Sequence, residues 1–200
     1  MPVTTSCVVT GTAVRPLAAD VCLDGRRPVL AVGSNAAASQ LRQKLGPDLA
    51  VPVHAVRVSD LAVGHSAHVS RAGYIPYTPY EHRGRTLRAV VLWLDDAQLA
   101  RMDETEPNYD RVRLSSAHYR LALESGDVVA GYDVYRSVHG VIAGLPATTQ
   151  ADAFAQLARR PGIPDDPLPV LAGSARRRAA VTAALAAHAV DARLRTAPGR

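Results

Sequence analysis

Short apolar runs closed by glycine, proline or aspartate fill the chain up to residue 140, and alanine- and arginine-rich stretches dominate beyond it. Residues 86–94, Thr-Leu-Arg-Ala-Val-Val-Leu-Trp-Leu, give the strongest strand signal, because β-branched and aromatic side chains suit a pleated, half-buried surface. Residues 29–32 lie between Pro28 and Gly33 and predict a short buried strand. Val51, Val53 and Ala55 fall at alternate positions, which predicts a strand over 51–58; 61–70 reads as strand-like, interrupted by Gly64 and His65. Residues 7–14 form a further strand candidate, and 109–114 with 117–123 read as two strands or one bent strand. Glu124-Ser125-Gly126-Asp127 then reads as a hairpin turn into 128–138. Residues 73–85 are rich in tyrosine and proline and predict a loop, since proline breaks a regular helix.

Helical spacing places Leu41 and Leu45 on one face of a helix over 36–45, with Asn35 as its N-cap and Gly46-Pro47 as its stop. Asp95 or Asp96 caps a second helix carrying Leu99 and Met102, and Asp95 with Gln98 has the spacing of a capping box. Pro107 ends it, because the residue before proline is pushed out of the α region. Residues 147–160 and 173–190 carry helical periodicity on either side of the proline-rich segment 161–169. The chain therefore reads as α+β, with a β-rich domain over 1–140 and a helical C-terminal extension over 141–200, packed on or beside it.

At 200 residues and 48% hydrophobic, the chain can bury one full-sized core. No run approaches the roughly 18 to 20 apolar residues of a membrane helix, and the first residues lack the basic and apolar regions of a secretory signal. A cytoplasmic location without a membrane partner is the expectation. Cys7 and Cys22 form neither a CxxC pair nor a zinc-like spacing with histidine, so they read as reduced, small apolar residues. A net charge of +5 permits nucleic-acid binding. However, Lys44 is the only lysine, and abundant arginine beside abundant alanine resembles the residue bias of a GC-rich coding sequence. The tight cluster Arg176-Arg177-Arg178 lies on a predicted helix without aromatic neighbours to stack bases, which points to a solvated face and to no nucleic-acid partner. Oligomeric state is left open.

Two segments carry candidate chemistry. In Val32-Gly33-Ser34-Asn35 a strand feeds a small-residue turn into a helix start, which aims backbone N–H groups at one spot where a carboxylate or oxyanion can bind. The same residues also serve as a purely conformational turn in many proteins. The second segment is the acidic helix end Asp103-Glu104-Thr105-Glu106, followed by Pro107-Asn108-Tyr109. Ser34 as a nucleophile lacks the Gly-x-Ser-x-Gly elbow. His65 and His68, even with Glu81-His82, do not have the spacing of a usual helical zinc pair and read more simply as hydrogen-bonded or exposed histidines. Tyr74, Tyr77 and Tyr80 either line a pocket mouth or pack as a lid, and His139 is a candidate second proton carrier.

In this order, with the strand 86–94 ahead of the acidic helix, these segments resemble the γ-glutamylcyclotransferase-like family. That family carries a Tyr-Gly-Ser-Asn or Tyr-Gly-Ser-Leu loop after its first strand and a Leu-Asp-x-x-Glu-Gly segment at a helix end. Here they read Val32-Gly33-Ser34-Asn35 and Met102-Asp103-Glu104-Thr105-Glu106-Pro107, and Gly73-Tyr74-Ile75-Pro76 is placed like the family's Gly-x-(Ile/Ala) stretch. Val32 stands where the family usually has tyrosine, and Pro107 where it has glycine. The resemblance spans about residues 29–138.

It implies a small mixed β-barrel with flanking helices, and an amine-releasing lyase that converts a γ-glutamyl amine or γ-glutamyl amino acid to 5-oxoproline. Glu106 aligns with the catalytic glutamate and is implied as the single general acid and base. Val32, Gly33, Ser34, Asn35, Tyr74, Tyr109 and Tyr135 are implied around the substrate, with no metal and no organic cofactor. Asp103 and Glu104 read as solvated or capping groups, Glu104 being the substitute if the helix register slips. Two other readings stand beside this one: a noncatalytic small-molecule-binding or regulatory module on the same fold, and an acyl-transfer enzyme or amide hydrolase.

Overall fold

The computed structural model describes residues 2–163 and 168–197. Its strands are β1 (Cys7–Thr10), β2 (Val14–Pro16), β3 (Arg27–Ala31), β4 (Ala50–Ser66), β5 (Tyr77–Leu94), β6 (Tyr109–Ser115), β7 (Leu121–Leu123), β8 (Val128–Val129), β9 (Gly131–Ser137), β10 (Val141–Pro146) and β11 (Ala189–Val190). The helices are α1 (Ala38–Leu45), α2 (Asp96–Glu104), α3 (Gln150–Leu157), α4 (Leu168–Gly173) and α5 (Ala175–Ala186). All strands join one sheet whose main path runs β11, β10, β4, β5, β3, β9, β6. The path is open, and no ladder among the described residues joins its two ends. The architecture is thus mixed α+β around a large sheet, and the barrel expected from sequence is not formed by these pairings.

The centre of the sheet is the β4–β5 hairpin, in which Val53 pairs with Leu92 and His65 with Tyr77. The residues 51–58 and 61–70 that read as separate strands belong mostly to this single strand β4, whose register shifts between Ser59 and Leu61. Asp60 takes φ 59° there, the bulge geometry that bends a strand without ending it. Residues 77–85, expected as loop, are the first half of β5. Pro79 is tolerated because β5 pairs with β3 only from Val90 onward, so at Pro79 one side of the strand has no ladder to donate to. The run 7–14 is likewise broken, β1 turning back on β2 with Val9 opposite Val14.

α2 begins as the sequence predicts: Asp95 accepts from the Gln98 N–H, and Gln98 accepts from the Asp95 N–H. α1 differs. Residues 33–36 form a 3-10 turn, the N-cap of α1 is Ala37 with no side-chain cap, and Asn35 faces away from that role. Gly46, at φ 90°, closes α1 where expected. β9 pairs with β3 in parallel, Leu30 opposite Val134, and with β6 antiparallel.

Past residue 140 the chain first supplies strand β10, paired to β4, and only then helices. β11 adds to β10, so the segment expected to be helical also contributes two strands to the sheet. Ala153, Leu157, Leu171, Val181 and Leu185 form a core with Ala67, Val69, Ile75 and Ile142. Within the expected proline-rich separator, residues 164–167 lie outside the described residues, as do 198–200 at the end. No helix among the described residues is long and apolar enough to cross a membrane. Cys7 is buried and Cys22 exposed, both free, and Arg176, Arg177 and Arg178 sit on α5.

Candidate functional site

Strand β3 delivers the chain into the turn at Gly33, which takes φ 62°, a left-handed conformation that glycine adopts without steric cost. A Cβ here would also stand 3.1 Å from the Tyr77 ring. Tyr77 is locked in that position, since its hydroxyl donates to the Thr148 carbonyl at 2.7 Å and its own carbonyl accepts from Tyr109 Oη at 2.9 Å. The N–H groups of Gly33, Ser34 and Asn35 head the 3-10 turn, where the helix itself provides no acceptors. Val32 packs against the core cluster that contains Leu30 and Val91, and Ser34 is exposed.

The Asn35 side chain turns inward and finds Glu106. Asn35 Nδ2 donates to Glu106 Oε1 at 2.9 Å, so two segments 71 positions apart meet directly. Lys44, on the last turn of α1, closes the triangle: Nζ donates to Asn35 Oδ1 at 2.7 Å and to Glu106 Oε1 at 2.5 Å. Both ends of this ion pair are largely withdrawn from water, the side chains being 13% and 10% exposed. Glu106 itself sits just past α2, its N–H donating to Asp103 O and its carbonyl accepting from Tyr109 N–H. All contacts fall on Oε1. Among the described residues Oε2 has no hydrogen-bond partner, and it is not sealed from solvent. Glu106 thus touches the turn directly, through the Asn35 side chain.

Tyr109 and Tyr135 approach the same carboxylate. Burial pushes the Tyr109 phenol well above its usual range, with Glu106 and Tyr74 adding to the rise. The Tyr135 phenol is pushed up likewise, first by burial and then by its hydrogen bond to Asp103 Oδ1 at 2.7 Å. Both remain neutral donors through the physiological range. Asp103, which reads from sequence as a solvated or capping group, is a hub: Arg111 grips it through Nε and Nη2, while Arg111 Nη1 holds Asp133. Burial pushes Asp103 up, but Arg111 and Tyr135 outweigh it and hold the carboxyl below the ordinary range. Glu104 is exposed and, among the described residues, pairs only with Arg101 at 3.8 Å. Lys44 and Asp103 are the site residues that sequence reasoning missed. The one available signal for Lys44 was its singularity.

The histidines are hydrogen-bonded or exposed, the simpler of the readings their spacing allows. His65 is buried between Ile75 O and the Thr148 N–H, and His82 is exposed beside Arg83. No group of three or more His, Cys, Asp or Glu among the described residues is arranged to hold a metal. Ser66 Oγ meets His68 Nδ1 and Ser137 Oγ, each at 2.6 Å, in a fully buried cluster. The His68 ring stacks on His139 at 4.7 Å and meets Tyr109 edge-on at 5.8 Å. His139 Nε2 bonds Asn108 Oδ1 at 3.0 Å, which ties it to the loop after Glu106 rather than to the carboxylate. Burial lowers the His68 pKa to about 4, with His139 contributing.

A cavity of about 1340 Å³ opens beside the turn, walled by Gly33, Ser34, the N-terminal residues Pro2, Val3 and Thr4, and residues of the central strands β4 and β5. Glu106, Tyr109 and Tyr135 are not among its walls. Gly33 and Ser34 of the turn line this cavity, whereas the Asn35 side chain meets Glu106.

No family model and no curated protein matches the chain. In fold it is similar to solved structures of low sequence identity. A γ-glutamyl cyclotransferase has 16% identity, 56% of this chain and 67% of that chain covered, and TM-score 0.47. An uncharacterized protein from Homo sapiens has 16% identity, coverage of 57% and 68%, and TM-score 0.48. A protein from Arabidopsis thaliana has 12% identity, coverage of 70% and 88%, and TM-score 0.49.

Proposed function

We propose that the protein is an amine-releasing cyclotransferase that converts a γ-glutamyl amine or γ-glutamyl amino acid to 5-oxoproline, with Glu106 as the proton carrier. The observation that carries this reading is the direct bond from Asn35, in the Gly-Ser-Asn turn, to Glu106, at the acidic helix end. It unites the two segments on which the family resemblance rests.

In the reaction the substrate's neutral α-amino nitrogen attacks its own γ-carbonyl carbon, a step that needs the chain folded so that the two meet. As the new C–N bond forms, Glu106 Oε2 takes the nitrogen's proton. The carboxyl then gives that proton to the departing nitrogen as the old C–N bond breaks. No water is consumed, and substrate and products balance as an isomer split in two. Lys44 and Asn35 hold Oε1, leaving Oε2 as the oxygen for proton work. The N–H groups of Gly33, Ser34 and Asn35 would bind the oxygen on which charge develops, a contribution of about 3 kcal/mol per donor. Tyr74, Tyr109 and Tyr135 would bound the substrate. Val32 supports the turn from behind.

A second reading, a noncatalytic small-molecule-binding module, is favoured by a different observation: the large cavity opens at Gly33 and Ser34 and has no wall from Glu106. One experiment separates the readings. Purified protein is incubated with γ-glutamyl amino acids, γ-glutamyl amines and glutathione, and 5-oxoproline is measured by mass spectrometry. Turnover that falls at least 100-fold in Glu106→Gln, with melting retained, supports the cyclotransferase. Saturable binding without product supports the module, and free glutamate in place of the ring indicates a hydrolase.

A further inference from the structure

The cavity beside the turn holds charges that the proposed reaction does not use. Part of its lining is the sheet face on which Ala31 stands opposite Val90 and Val90 opposite Ala55, all three buried. Two residues further along each strand the same face continues, and there Arg88 stands directly opposite Arg57, with Ala122 of β7 on the other side of Arg57. One step beyond, Thr86 faces Ser59, whose N–H donates to the Arg120 carbonyl. Arg57, Arg88 and Arg120 all line the cavity.

Like charges directly opposite each other weaken an antiparallel pair. None of the three arginines makes an ion pair or side-chain hydrogen bond with another described residue, whereas Arg111, Arg113 and Arg136 are paired to carboxylates. Glu124, the one acidic residue on the cavity wall, accepts a bond from Ser6 Oγ. A local rule broken without internal compensation is the mark of a position kept for something outside the chain.

We propose that this cavity binds a small molecule with an apolar body and a dianionic head, the body lying over Ala31, Ala55 and Val90 and the head held between Arg57 and Arg88. Facing positions on neighbouring strands put the two side-chain origins about 5 Å apart. Planar guanidinium groups at that spacing grip a phosphomonoester or a pair of carboxylates through two parallel N–H bonds each. Arg120, also on the lining, adds a third positive charge. The inference goes beyond the cyclotransferase reading and does not use Glu106.

Isothermal titration of the whole protein with phenyl phosphate, phenylsuccinate and, as a neutral control, benzyl alcohol tests it. The expected result is saturable binding of at least one dianion below about 1 mM, weakening with added salt. The phosphate and dicarboxylate arms report which head is preferred. Arg57→Gln with Arg88→Gln should weaken that binding at least tenfold with melting temperature unchanged or raised, because a repulsion is removed. If the double variant fails to fold, Arg88→Gln alone should weaken it at least threefold. Glu106→Gln should leave it unchanged, so loss of turnover and loss of this site are read separately. Dianions that bind no tighter than benzyl alcohol, or folded arginine variants with full affinity, would overturn the proposal.

Discussion

Lys44 Nζ lies 2.5 Å from Glu106 Oε1, and it is the only lysine of the chain. Where the rest of the molecule meets carboxylates with planar guanidinium groups, this position has a compact ammonium whose donors reach Glu106 and Asn35 together. Removing it leaves a carboxylate withdrawn from water without its counter-charge. Lys44→Met should therefore cost about 2 kcal/mol, below the 3 to 5 of a fully buried pair because both side chains retain some exposure. Lys44→Met combined with Glu106→Leu should cost less than the sum of the two single changes. Urea melts of the four proteins give the coupling directly.

Gly33 is constrained twice, by φ 62° and by the Tyr77 ring, which would stand 3.1 Å from a Cβ at this position. Gly33→Ala should destabilise by about 1 to 3 kcal/mol. Adding Tyr77→Ala removes the ring at 3.1 Å but leaves the residue-77 Cβ at 3.3 Å and the backbone conformation unchanged. The double variant should thus retain a strain penalty of about 1 kcal/mol in a cycle referenced to Tyr77→Ala.

The capping box of α2 fixes the helix that ends just before Glu106, yet it touches no substrate in the proposed reaction. Asp95→Ala should lower stability by about 1 kcal/mol. Its 5-oxoproline turnover at a temperature where the protein stays folded should fall less than tenfold, against at least 100-fold for Glu106→Gln. Equal losses in both variants would remove the special role given to Glu106.

His68 has its pKa lowered to about 4 by burial and by His139, while an unfolded histidine titrates near 6.5. Between those values the unfolded chain binds more protons than the folded one, so stability is full above about pH 6.5 and declines as pH falls toward 4. His65 and His139 are lowered also and act in the same direction. For His68 the loss approaches about 3 kcal/mol across that window. His68→Asn should flatten the pH dependence of urea midpoints between pH 6.5 and 4.5. An unchanged slope would assign the loss to other groups.

Local grammar made part of this molecule legible in its sequence. The Asp95–Gln98 box, the Gly46 stop and the strand 86–94 rest on neighbouring residues and are found where they were expected. Residues 77–85 were unreadable because a proline is admissible in a strand only when one flank lacks a ladder, and the flank is set by pairing with distant β3 and β4. Asn35 looks like a helix cap until its partner is known, and that partner is 71 positions away. Asp103 looks solvated until β6 and β9 bring Arg111 and Tyr135 to it. The β10 segment after residue 140 was hidden for the same reason, its place depending on β4 rather than on its own composition.

The parallel seam between Leu30 and Val134 has a kinetic consequence. Closing it requires ordering a loop of about 100 residues, whereas the β4–β5 hairpin closes over a short connection. The hairpin is positioned to assemble early during refolding, and the seam late. Because the strand that feeds Gly33 is clamped by that seam, the turn at Gly33 should mature last, after most secondary structure has already formed.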